Sequence, residues 1–135
     1  MIKGINHITF AVKELKTSFE FYKNIIGLKP VFRSSDNAYF LAGEQWIALI
    51  EDEKTRGKQL DEYTHISFTV DKEEFEAFKL SLAKNNVRLW KDNTSEGESL
   101  YFLDPDGHKF EFHVNGLEER LIFYKENMKA DYIFY

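Results

Sequence analysis

Cysteine is absent from the chain, which excludes disulfides, thiolate-ligated zinc and a protein-supplied catalytic thiol. A sulfur nucleophile would have to arrive with a co-substrate. Clustered Lys/Arg runs are also missing and the formal net charge is −5, so there is no electrostatic footprint for nucleic acid. No apolar run approaches the length of a membrane span, and Met1-Ile2-Lys3-Gly4 leads into a strand-like segment without a signal-peptide pattern; the expectation is a cytoplasmic protein. What the chain does have is 43% hydrophobic residues, 13 of them Phe, in 135 positions, enough for one ordinary core.

Turn chemistry marks the most informative stretch, Tyr101 to His113. Pro105 presets one backbone angle of Asp104-Pro105-Asp106-Gly107 and Gly107 accepts a positive one, while the flanking runs read as strands. In the second strand Phe110 and Phe112 share one face, and Lys109, Glu111 and His113 the other. His108, next to the turn, is expected in solvent.

Ile5 to Val12 alternates as a half-buried strand that keeps His7, Thr9 and Ala11 off the core side, and Glu14 to Ile26 has helical spacing with Gly27 as its stop. Three short strands follow, Val31–Arg33, Asn37–Leu41 and Trp46–Ile50. Residues 52–61 read as a linker without structure of its own. The order then restarts: a strand over Tyr63–Val70, a helix over Lys72–Lys84, a strand over Val87–Lys91, a loop over Asn93–Ser99, the hairpin, and a last amphipathic helix over Leu117–Glu126. His7-Ile8-Thr9-Phe10-Ala11-Val12 matches His65-Ile66-Ser67-Phe68-Thr69-Val70 at four of six positions, and Tyr39-Phe40-Leu41 recurs as Tyr101-Phe102-Leu103. Such internal similarity marks a duplicated unit. The predicted fold is α+β with paired βαβββ modules, module one over 1–51 and module two over 62–113, followed by a helix and tail over 114–135, all in a single domain.

The repeat makes His7 and His65 equivalent and predicts that both join Glu111 at one cup. A lone strand histidine is ordinarily structural. Two equivalent imidazoles and a carboxylate suit Mn, Fe(II), Ni or Zn with positions left open. The 62-residue offset of the Tyr-Phe-Leu runs places Leu49 where module two has Glu111, so one module lacks the carboxylate. Lys91, Arg120 and the hydroxyl-rich loop 93–99 suit an anionic, oxygen-rich ligand, although isolated charges are usually just solvated. Tyr39, Trp46 and Tyr101 line a pocket or fill core; the residues leave that open.

These motifs resemble the vicinal oxygen chelate superfamily, and within it the fosfomycin-resistance thiol transferases of the FosA type. The most specific segment is Trp90-Lys91-Asp92-Asn93-Thr94-Ser95-Glu96-Gly97-Glu98-Ser99-Leu100-Tyr101-Phe102-Leu103-Asp104-Pro105-Asp106-Gly107-His108-Lys109, which looks like that type's potassium loop running into its hairpin. The resemblance implies a Mn(II) site, or one for Zn, Ni or Fe, at His7, His65 and Glu111, and a K+ site from Asn93, Ser95, Gly97 and Ser99. It implies that Thr9, Lys91, Ser95, Tyr101 and Arg120 hold a phosphonate, with Tyr39 and Trp46 near the thiol and epoxide. It also implies a homodimer with exchanged modules, fosfomycin or another small phosphonate epoxide as substrate, and glutathione or a related small thiol as co-substrate. Thr9, Tyr39, Lys91 and Arg120 are then the candidate catalytic residues. An epoxide hydrolase, an Fe(II) extradiol-type dioxygenase and a non-catalytic drug-binding dimer are the alternatives on the same scaffold, and Glu44 is unassigned between them.

Overall fold

The computed structural model describes residues 1–94 and 97–135 of the chain. Strands β1 (His7–Val12), β2 (Lys29–Arg33), β3 (Asn37–Ala42) and β4 (Gln45–Glu51) form one sheet in the order β1-β4-β3-β2; β5 (Ile66–Thr69), β6 (Leu89–Lys91), β7 (Ser99–Leu103) and β8 (Lys109–His113) form a second in the order β5-β8-β7-β6. In both sheets the first strand lies parallel to the last and the other pairs are antiparallel. The duplicated sequence has thus folded into duplicated topology. Helix α1 (Leu15–Glu20) precedes β2, α2 (Lys72–Lys84) precedes β6, and α3 (Leu117–Glu126) follows β8.

The helix expected over 14–26 is interrupted. After Glu20 the backbone widens into a π-helical turn, Phe21–Ile25, with Ile26 N–H donating to Phe21 C=O. The wider turn brings Phe21 and Tyr22 inward side by side, both buried. Gly27, at φ +83°, ends the segment. Helix α3 forms with its expected bounds, yet none of its residues is buried.

One core spans both sheets: Tyr22 and Phe40 from module one meet Phe102, Phe110 and Phe112 from module two. Phe10 stands edge-on to Phe110 at 5.2 Å and Tyr22 to the same ring at 6.0 Å. Each buried Phe contributes about 2 kcal/mol by leaving water.

The Asp104–His108 turn is a clasp between the modules, and the expectation of a solvated His108 is overturned. Its Nε2–H donates to Ala11 C=O at 2.8 Å, and His108 is buried. Asp104 Oδ1 accepts the amides of Asp106 and His108, and Oδ2 accepts Tyr22 Oη at 2.7 Å. Asp106 accepts Lys13 N–H and Ser18 Oγ–H from module one. Gly107 is required here: φ is +90°, and a Cβ would lie 2.5 Å from Gln59 N.

Candidate metal centre and substrate groups

Register decides which side chains face each other. Glu111 pairs with Ser67 on β5 and with Tyr101 on β7. The equivalent pairing in module one, Thr9 and Tyr39, flanks Ala48, so Ala48 and not Leu49 stands where Glu111 does. The turn explains the difference. Gly43-Glu44 closes the β3–β4 hairpin with two residues after the pair Ala42–Gln45, whereas five, Asp104–His108, close β7–β8 directly after Leu103–Lys109; the longer turn adds three residues, the pair that β7 and β8 lack removes two, and the aligned offset shifts by one. Leu49 is core, fully buried. Module one still lacks a carboxylate at this position.

His65 immediately precedes β5. Its Nδ1 lies 2.8 Å from Tyr63 C=O and its Nε2 lies 3.0 Å from Glu111 Oε2. A carbonyl can only accept, so Nδ1 carries a proton and Nε2 faces the carboxylate with its lone pair unless a second proton or a cation intervenes. That geometry fits a divalent ion: the imidazole is oriented through its far nitrogen and the near one converges with a carboxylate oxygen. Glu111 is itself held. Ser99 Oγ donates to Oε1 at 2.7 Å, and His113 Nδ1 lies 2.6 Å from that hydroxyl and 3.3 Å from Oε1. With Glu111 only 6% exposed, these contacts compensate its charge. His113 is not among the predicted site residues. Its position on the face of Glu111 was a usable signal; Tyr63, acting through its backbone, offered none.

Lys91 Nζ donates to Tyr63 Oη at 2.8 Å and lies over the rings of Tyr63 and Tyr101 at 4.9 and 4.7 Å. The Tyr63 bond raises its pKa, burial opposes the rise, and the nearby Tyr101, Tyr63 and Glu111 add to it, so Lys91 remains a cation. Arg120 lines a cleft of about 340 Å³ with Ser67, Glu111 and His113. In the loop, Asn93 Nδ2 donates to Gly97 C=O at 2.7 Å, and Gly97 adopts φ +79°. Ser95 lies outside the described residues. Module two therefore brings together His65, Glu111, Tyr101, Lys91, Ser99 and Arg120.

The module-one residues form a separate group. His7 is exposed, with Nδ1 at 2.8 Å from Asn6 Oδ1 and its ring 4.4 Å from Trp46, which meets Tyr39 at 5.1 Å. Trp46 Nε1 is buried with no hydrogen-bond partner among the described residues. A single chain does not bring His7 to His65 and Glu111 as one cup. Among the described residues the triple of His, Asp or Glu side chains whose ligating atoms converge is Asp104, Asp106 and His108, and it is already spent on the clasp. Thr9 is exposed and lines a different cleft, one that also reaches His65. Glu44 sits exposed in its two-residue turn.

Residues 4–112 match the family model for the Glyoxalase/Bleomycin resistance protein/Dioxygenase superfamily. The chain is 41% identical to the glutathione transferase FosA of Serratia marcescens, over 99% of this chain and 96% of that one. It is also 41% identical to the metallothiol transferase FosB of Staphylococcus saprophyticus, over 93% of this chain and 86% of that one. Among solved structures, the fosfomycin resistance protein FosX of Listeria monocytogenes superposes with a TM-score of 0.82 at 33% identity, covering 92% of this chain and all of that one. A variant of that FosX, complexed with Mn(II) and 1S,2S-dihydroxypropylphosphonic acid, gives 0.79 at 35% identity, covering 92% and 99%.

Proposed function

Because the chain belongs to the glyoxalase/bleomycin resistance/dioxygenase superfamily and, within it, to the fosfomycin-resistance enzymes, we propose that it opens the epoxide of fosfomycin, or of a closely related phosphonate, by adding glutathione or a related small thiol. The observation that carries the reading is the meeting of His65 Nε2 and Glu111 Oε2 at 3.0 Å, with the far imidazole nitrogen committed to Tyr63 C=O. His7 of one chain would complete the Mn(II) ligand set of its partner's His65 and Glu111. Three features support a homodimer with such composite sites: His7 does not converge with the other two ligands within a chain, the buried Trp46 indole N–H has no partner among the described residues, and Leu117, Ile122 and Phe123 of α3 are exposed and apolar.

A divalent ion in that set supplies Lewis acidity to the oxygen on which negative charge develops. The protein's own groups do the remaining work. Lys91 and Arg120, with the hydroxyls of Thr9, Tyr101 and Ser95, would bind the phosphonate and hold the epoxide in one orientation. Asn93, Ser95, Gly97 and Ser99 would hold K+ beside it. Tyr39 and Trp46 would flank the thiolate, formed by loss of the thiol proton to solvent, as it attacks an epoxide carbon: one C–S bond forms, one C–O bond breaks, and the alkoxide takes a proton back from solvent. Positioning two reactants in this way can supply about 7 kcal/mol or more of the barrier. No cysteine is needed because the sulfur arrives with the co-substrate.

Hydrolysis is the second reading, favoured by the FosX likeness and by the diol in its complex, since water adding across the same epoxide gives a vicinal diol. The deciding experiment follows fosfomycin loss with Mn(II) and either glutathione, bacillithiol, cysteine or water alone. Thiol adducts are expected. Diol formed at the same rate with and without thiol would transfer the assignment to hydrolysis, and no loss with any nucleophile would remove both readings.

A further inference from the structure

The two oxygens of Glu111 have different surroundings. Oε2 faces His65 Nε2 at 3.0 Å, whereas Oε1 meets Ser99 Oγ at 2.7 Å and His113 Nδ1 at 3.3 Å. Strand register builds the second group. Ser99 on β7 stands directly opposite His113 on β8, and His113 lies two residues beyond Glu111 on the same strand face, so one hydroxyl comes within reach of both side chains. All three residues are buried. The His113 ring also rests on the loop before β7: a Cβ at Gly97 would lie 3.1 Å from its Cε1, so the lack of a side chain at Gly97 is what admits the ring.

The protons around Oε1 can be counted. A carboxylate accepts, and the Ser99 hydroxyl has one proton, which it gives to Oε1. The 2.6 Å contact between Ser99 Oγ and His113 Nδ1 then needs a proton from the imidazole, because two lone pairs at that distance repel. The reverse arrangement, with Ser99 donating to a bare Nδ1, turns the Oγ lone pairs toward Oε1 at 2.7 Å and leaves the Nδ1 lone pair facing the same oxygen at 3.3 Å. An Nδ1 that carries a proton satisfies all three contacts. His113 therefore donates to Ser99 and Ser99 to Glu111, two hydrogen bonds running in one direction, each polarising the next.

We infer that His113 is a positioning residue for the proposed metal centre: its Nδ1–H fixes the Ser99 hydroxyl, the pair occupies Oε1, and Glu111 presents the single oxygen Oε2 to the ion. A carboxylate bound through one oxygen takes one coordination position instead of two. The inference rests on Glu111 being a ligand, and two measurements keep the two claims apart. The first needs no metal: nitrogen NMR of the imidazoles in the metal-free full-length protein should show His113 Nδ1 carrying a proton. It uses the parent alone, so it holds even where a variant fails to fold. The second is calorimetric titration of His113→Leu and His113→Asn with Mn(II). Both substitutions remove the ring and are nearly equal in size, so the lost packing against Gly97 affects them alike, but only Asn keeps an N–H near the place of Nδ1. His113→Leu should weaken Mn(II) binding about tenfold, and His113→Asn should recover most of that loss. An unprotonated Nδ1, equal losses in the two variants, or a His113→Leu protein within about twofold of the parent would each overturn the inference. A Glu111→Ala protein that kept its Mn(II) affinity would instead remove the ligand reading, and with it any role of His113 toward the metal, while the Nδ1 proton would stand as a structural hydrogen bond.

Discussion

Tyr22, in the π-helical turn of module one, donates a 2.7 Å hydrogen bond to Asp104 in the hairpin turn of module two, and both side chains are buried. The bond joins residues 82 positions apart and gives a carboxylate that is 2% exposed one of its three donors. Tyr22→Phe keeps the ring and deletes the donor, so it is expected to lower stability by about 1–3 kcal/mol. Asp104→Ala strands Tyr22 Oη and two amides together and should cost more, about 3 kcal/mol or above. Urea denaturation of both variants measures the order; equal stability of parent and Tyr22→Phe would mean that the bond contributes nothing.

The same pair sets a pH response. Burial first, then the charge and hydrogen bond of Asp104 and the charge of Asp106, raise the Tyr22 pKa well above the ordinary phenol value. An acid whose pKa is raised on folding holds its proton more tightly in the native state, so its contribution to stability falls as pH rises above the unfolded value, about 10 for tyrosine. The parent should lose up to about 1.4 kcal/mol per pH unit from this group in alkali, and Tyr22→Phe should lose less steeply. Asp104 has the same sign at lower pH: burial raises its pKa, against the lowering by His108 and Tyr22. Its contribution therefore declines as pH rises from about 4 to its raised folded value, and Asp104→Asn should remove that decline. Parallel stability curves for parent and variants would refute both assignments.

Period and turn chemistry were enough to read the element order, because the alternation of β1 and the spacing of α2 and α3 are local signals, and the repeated His-Ile-x-Phe-x-Val implied repeated sheets. What stayed hidden was non-local. Whether a histidine after a turn meets solvent or the carbonyl of Ala11, 97 residues away, leaves no trace in nearby residues. Ala48 and not Leu49 matches Glu111 because the β7–β8 turn is three residues longer and its ladder one pair shorter, which an offset taken from β3 and β7 cannot see. The grouping of His65 with Glu111 was legible because both lay on polar strand faces; the separation of His7 was not, because the repeat fixes equivalence of strands and not how the two modules sit in one chain.

Glu111 should be indispensable for metal binding. Glu111→Ala removes a proposed ligand and is expected to weaken Mn(II) binding by at least the tenfold typical of losing a residue behind the ligands. Ser99→Ala removes the donor to Oε1, leaving the carboxylate less well oriented, and should weaken binding by up to about tenfold. Calorimetric titration with Mn(II) checks both. A Glu111→Ala protein within twofold of the parent would move the metal elsewhere.

The proposed composite sites are tested by mixing. His7→Ala and Glu111→Ala proteins should each be inactive. After subunit exchange, a heterodimer carries one site with neither substitution, so fosfomycin turnover should recover to roughly a quarter of the parent rate for statistical mixing with one of two sites intact in half of the dimers. Verified exchange without recovery would place all three ligands in the same chain.

If potassium binds among Asn93, Gly97 and Ser99 as proposed, Ser99 would link it to the proposed metal site. Its hydroxyl donates to Glu111, so Ser99→Ala should disturb the Mn(II) response as well as any potassium response. Asn93 acts differently: its side chain holds Gly97 C=O at 2.7 Å, and Asn93→Ala should loosen the loop while leaving Glu111 and His65 as they are. Gly97 is constrained from two sides, by φ +79° and by the 3.0 and 3.1 Å that a Cβ would leave to Asn115 and His113, so Gly97→Ala should open the loop and crowd His113 together. Hydroxyl, amide and backbone oxygens are hard donors suited to an alkali cation, and a dianionic phosphonate entering a partly desolvated site requires positive charge beyond Lys91 and Arg120. Turnover should therefore rise with potassium at fixed ionic strength, respond poorly to sodium, and lose most of that dependence in Asn93→Ala at unchanged Mn(II) affinity. A flat potassium curve for the parent would remove the cation from the mechanism and leave phosphonate binding to the two basic side chains and the hydroxyls around them.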